Sequence, residues 1–129
     1  MPETDELLDA TTALIPPLLT ALDALRAAGR HMHPPMLAEL VDAIRPQHGG
    51  LVEGFDVFKN ATWPEHLETF VDCVNRSVGY ALRAFAQFEQ ALEAPQPAFI
   101  AYRAMGLTTK ATEALYPVAA MLPPVSRFY

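Results

Sequence analysis

The chain carries 12 prolines, yet none falls between Pro64 and Pro95, and apolar residues fill that gap at helical spacing. Leu67, Phe70, Val71, Val74, Val78, Ala81, Leu82, Phe85, Phe88 and Leu92 recur at steps of three and four, the period of one face of an α-helix. Thr62-Trp63-Pro64-Glu65 precedes them: threonine and glutamate three apart form a capping box, and Pro64 suits a first turn. The pattern predicts one uninterrupted helix over residues 62–94, about 45 Å long at ~1.5 Å per residue, against which the remaining helices must lie. Gly79 is its one interior weak point. A mid-helix glycine costs about 1 kcal/mol relative to alanine, usually in exchange for a close backbone approach, so a helix crossing is expected there.

The prolines elsewhere divide the chain into further segments. Thr4, ahead of Asp5 and Glu6, can cap a first helix with Leu7, Leu14, Leu18, Leu22 and Leu25 on one face and Gly29 as its stop. Pro16-Pro17 removes two amide donors from that helix, which predicts a kink, or two short helices meeting near Ile15. Pro34-Pro35 opens a second helix with Met36, Leu37, Leu40, Val41 and Ile44 on one side, ended after about three turns by Arg45 before Pro46. Residues 46–61 contain Gly49-Gly50 and Gly54 around Leu51, Val52, Phe55, Val57 and Phe58, and read as an ordered loop with Phe55 and Phe58 plugging the end of the bundle. After Pro95-Gln96-Pro97 a fourth helix carries Ile100, Ala104, Leu107, Ala111, Leu115 and Val118, flanked by Phe99, Tyr102 and Tyr116, until Pro117 kinks or ends it. The short link at residues 94–97 sets the last two helices antiparallel. The fold class that follows is all-α, an up-and-down bundle of about four helices with one long central helix.

With 129 residues the chain is one domain's worth of core. The bundle is expected over residues 1–122, with 123–129 a linker or the start of a following domain. Hydrophobic residues reach 51% and charged residues only 19%, leaving apolar surface for a partner. A net charge of −6 with no basic cluster argues against nucleic-acid binding. The acidic start, Met1-Pro-Glu-Thr-Asp-Glu, lacks the positive region of a secretory signal. No uninterrupted apolar window of roughly 18 residues suggests a membrane span. A soluble, cytoplasmic protein is expected, and its lone Cys73 can form neither an internal disulfide nor a multi-cysteine zinc site.

Few residues offer chemistry. His31-Met32-His33 supplies acceptable ligands for copper or another borderline metal, but alternating residues rarely converge on one ion without further ligands, and a polar turn between two helices is the preferred reading. His48 and His66 have no partner at metal-ligand spacing. Glu65, Glu68 and Asp72 could be imagined as an acid and base pair, but they more simply satisfy the positive end of the long helix. Trp63, Phe55, Phe58, Phe70 and Phe85 could line an acyl or aromatic pocket, although helical spacing favours core packing. Cys73 lies too deep in its helix for its thiolate to be favoured. The two serines, Ser77 and Ser126, lack the flanking glycines of a nucleophile elbow. No phosphate loop, dinucleotide fingerprint or zinc-protease helix motif is present. The residues therefore point to no catalytic, cofactor or metal site.

The tail, Ala114-Leu-Tyr-Pro-Val-Ala-Ala-Met-Leu-Pro-Pro-Val-Ser-Arg-Phe-Tyr129, resembles the segment that precedes the first strand of the catalytic domain in some bacterial carboxylesterase or phospholipase-like α/β-hydrolases. The resemblance implies an N-terminal helical accessory region whose nucleophile elbow, acid and histidine lie beyond Tyr129; no catalytic residue carries over. The apolar end fits this reading, in which position 129 marks the edge of an excised domain. The expected function is thus a non-catalytic accessory or interaction module whose partner is a catalytic domain or a second copy. The alternatives are a free-standing bundle binding a small apolar ligand and a self-associating scaffold or regulatory protein.

Overall fold

The computed structural model describes residues 2–30, 37–93, 95 and 97–121. Four helices follow one another: α1 Pro2–Arg30, α2 Leu37–Asn60, α3 Glu68–Ala91 and α4 Pro97–Ala114. A 3-10 turn, Glu65–Leu67, leads into α3, and another, Tyr116–Met121, follows α4. Among the described residues there is no strand. Each helix packs most closely on its chain neighbour, α1 on α2 and α3 on α4. The two hairpins then meet mainly through α1 and α4, with a lighter seam between α2 and α3, and the result is the all-α up-and-down bundle.

α1 does not split at Pro16-Pro17 but runs through both as one helix of 29 residues, and Thr4 and Gly29 lie inside it rather than at its ends. The reason is its leucine face: Leu14, Leu18, Leu22 and Leu25 are buried on both sides of the prolines, so burial offsets the lost bonds. By length and composition Glu6–Ala28 could also cross a bilayer, with a mean hydropathy of 1.2. α1 is longer than the 24-residue α3 and touches all three other helices, so it shares the role of spine.

The expected loop at residues 46–61 is helix. α2 continues past Pro46 and through Gly49-Gly50 to Asn60, for 24 residues instead of about three turns. Val41, Ile44, Leu51, Gly54 and Phe58 are buried and keep one face in phase across the proline. Gly54 makes this possible. A Cβ there would stand 2.3 Å from the Ala13 carbonyl oxygen and 3.0 Å from the Leu14 Cα. Pro17 has no N–H to bond that carbonyl four residues back, so the oxygen is left to the approaching helix, toward which a glycine Cα–H points. The two residues that looked like helix breakers together create the crossing of α1 and α2.

α3 is a single rod unbroken at Gly79, but shorter than residues 62–94: its 24 residues span about 36 Å. The capping box does not form, and neither the 3-10 turn nor α3 has a side-chain cap. Instead the Trp63 indole donates to the Phe58 carbonyl at 2.9 Å and covers the open end of α2. Trp63 packs with Phe58 and Phe70 at centroid distances of 4.6 and 5.9 Å, and this aromatic group holds the α2–α3 corner. Gly79 is exposed, with nothing within 4 Å of an added Cβ. The close approach expected there belongs to Gly54.

On α4 the inward positions are Ala101, Ala104, Thr108, Ala111 and Thr112, followed by Leu115 and Val118, while Ile100 and Leu107 are only half-buried. The alanines face a helix that also buries Ala81, Ala84 and Ala91. Thr108 and Thr112 satisfy their buried hydroxyls by donating to the carbonyls of Ala104 and Thr108, at 2.9 and 3.1 Å.

Candidate functional site

Because α2 extends past Pro46, it brings Arg45 and His48 against the C-terminal half of α3, where Phe85 and Glu89 stand one turn apart. Arg45 donates to both carboxylate oxygens of Glu89, Nε to Oε1 at 2.7 Å and Nη2 to Oε2 at 3.0 Å, and also bonds Asp42. This fork geometry is the strong form of an ion pair, although both side chains are about half exposed. The Arg45 hydrogen bond holds the Glu89 carboxyl below its ordinary value of 4.5; partial burial works against it, and the charges of Arg45 and His48 add to it. One turn along, His48 meets Phe85 edge-on at 5.1 Å. Ile44, Leu82 and Phe85 line an open groove of about 500 Å³ with Arg45, His48 and Glu89.

Arg45 is shared between Glu89 and Asp42, and among the described residues no serine, threonine or cysteine lines the groove beside them. The arrangement acts as a clasp across the thin α2–α3 seam rather than as an acid and base pair. The outer side of α4 is different in kind. Phe99, Tyr102 and Tyr116 are 56%, 71% and 57% exposed, and Arg103 lies over the Phe99 ring at 4.9 Å.

The residues singled out from sequence do not converge. His31-Met32-His33 lies outside the described residues, as does the tail from residue 122 onward. Among the described residues no three metal-ligating side chains cluster. Glu65, Glu68 and Asp72 are exposed. Cys73 is free and buried, and Ser77 is fully buried with its hydroxyl unbonded among the described residues, so neither can meet a substrate. Phe58 and Phe70 are buried and Trp63 and Phe55 half-buried, which makes them packing, whereas Phe85, also buried, lines the α2–α3 groove. The clasp was missed because its signal, Arg45 and His48 three apart facing Phe85 and Glu89 four apart, becomes visible only once α2 continues through Pro46. No family model, curated protein or solved structure shows a significant similarity to the chain.

Proposed function

We propose that this chain is a non-catalytic helical interaction module, a cytoplasmic accessory region serving a carboxylesterase-like hydrolase. The observation that supports it best is the outward aromatic row of α4. Phe99 and Tyr102 on α4, and Tyr116 in the 3-10 turn that follows it, hold three large rings in solvent, and Tyr and Phe in such positions are the usual anchors of protein interfaces. Cys73 and Ser77 are meanwhile buried, and Arg45 and Glu89 are paired with one another. The hydrolase half of the proposal rests on the tail alone. The test is hydrolysis of p-nitrophenyl butyrate by the chain by itself and by the chain extended with the residues that follow it in its gene. The expected result is turnover only in the extended form; turnover by this chain alone would overturn the reading.

A second reading, a bundle that takes a small apolar ligand, draws on the α2–α3 groove, whose volume of about 500 Å³ lies within the roughly 300–1,000 Å³ of ligand sites. Under it, anilinonaphthalene sulfonate fluoresces on binding the folded chain, and Leu82→Glu abolishes that signal.

A further inference from the structure

We propose that the solvent-facing furrow between α3 and α4 is a docking seat for an acidic helical segment of a partner protein. The proposal rests on the interaction-module reading and names the chemistry of the partner. On α3, Arg76, Tyr80, Arg83 and Gln87 follow one another at steps of four and three, one straight row along a flank of the helix. On α4, Ile100, Arg103, Leu107 and Lys110 do the same. The two rows face each other across the furrow, because Lys110 of the second lies over the Tyr80 ring of the first at 5.9 Å. Tyr80, Ile100 and Leu107 are half-buried and form an apolar floor, whereas Arg76, Arg83, Arg103 and Lys110 are exposed along the rims.

Four cations thus share one face of a chain whose net charge is −6. No basic run marks them in the sequence; the pairing of α3 with α4 brings them together. Among the described residues the three ion pairs belong to Arg45 and Lys59, so no carboxylate neutralises any of the four. Even Asp72 and Glu113, one turn from Arg76 and Lys110, form no ion pair with them. Two of the arginines lie over rings instead, Arg83 at 5.9 Å from the Tyr80 centroid and Arg103 at 4.9 Å from that of Phe99. A ring beneath a guanidinium steadies it without consuming its N–H donors, which stay free for carboxylates.

The spacing sets what the seat takes. Arg76 and Arg83, and again Arg103 and Lys110, are two helical turns apart, about 10.5 Å at ~1.5 Å per residue. Glutamates two turns apart on a helix lying in the furrow reach both cations of a rim, while its apolar stripe meets the floor. A bilayer or a nucleic acid is a poorer match, because the positive area is only about two turns long and an extended polyanion repels the acidic remainder of the chain.

The experiment is fluorescence anisotropy of a labelled helical peptide, an apolar leucine stripe flanked by glutamates two turns apart, titrated with the full chain. A twin peptide carries glutamine for every glutamate. Wild type is expected to bind the acidic peptide about tenfold or more tightly than the twin, and added salt weakens it. Arg83→Glu and Lys110→Glu, with circular dichroism to confirm folding, each weaken it about tenfold, since each replaces an attraction by a repulsion. Lys59→Glu, the same charge change on α2, leaves it unaltered. Equal binding of the twin, or an equal loss with Lys59→Glu, would overturn the proposal. So would phosphatidylserine vesicles or a single-stranded DNA oligomer that bind more tightly than the peptide through the same cations. Each of these outcomes leaves the interaction-module reading standing on its aromatic row, whereas esterase turnover by the chain alone strikes that reading and not the peptide seat.

Discussion

The two hairpins solve the same packing problem in opposite ways. In α1–α2, large side chains such as Leu14, Leu18, Leu22, Leu51 and Phe58 fill the interior, and the backbones come together at one point where Gly54 meets the Ala13 carbonyl. In α3–α4, both helices bury alanines along their length, Ala81, Ala84 and Ala91 on one and Ala101, Ala104 and Ala111 on the other, in the most extensive helix packing of the bundle. A crossing that depends on one missing methyl is sensitive to a single atom. A seam of alanines shares the load, and the exposed Gly79 is dispensable to it. A proline or glycine in this chain therefore cannot be read as a breaker until it is known what lies across from it.

The contrast is sharpest in four measurements. The largest effect is expected at the point-packed end: Phe58→Ala empties a fully buried site beside Trp63 and Phe70 and should destabilise by about 4 kcal/mol in denaturant titration. Next comes Gly54→Ala, about 3 kcal/mol, the upper end of overpacking, because the obstacle is backbone and cannot swing away. The same change in the other hairpin, Gly79→Ala, reverses sign. It should stabilise by about 1 kcal/mol, since the methyl enters open solvent and the helix loses a flexible residue. Equal effects at the two glycines would erase the distinction between point and seam.

These pairs also mark how far the sequence could be read. The rod of α3 and the antiparallel α4 were legible because Phe70, Val74, Val78, Phe85 and Phe88 repeat without interruption and all end up buried. The Leu14 to Leu25 face of α1 was legible for the same reason. α2 was not, because Pro46, Gly49, Gly50 and Gly54 argue locally for a loop, and the burial that overrides them comes from α1, distant in sequence. The capping box was misread because Trp63 found a better partner in the Phe58 carbonyl than Thr62 found at the helix start. Missing the extent of α2 meant missing Arg45 and His48 as neighbours of α3. The aromatic flank of α4 and of the turn after it was visible in Phe99, Tyr102 and Tyr116.

The smallest effect belongs to the clasp that joins the hairpins rather than to either interior. Glu89 titrates below its ordinary 4.5 in the folded chain because Arg45 holds its ionised form. A depressed carboxyl contributes stability that is fully present above about pH 4.5 and is lost as the pH falls through the folded value. Glu89→Gln should therefore lower the denaturation midpoint slightly at pH 7, and the gap to wild type should close as the pH drops below 4.5. High salt at pH 7 should narrow the same gap, since both side chains are about half exposed to screening ions. The deficit of Phe58→Ala, which involves no charge, should not follow either change. A Glu89→Gln gap that persisted unchanged at pH 3 would mean that α2 and α3 are held by the His48–Phe85 contact and the apolar groove beneath it, with the ion pair contributing nothing measurable.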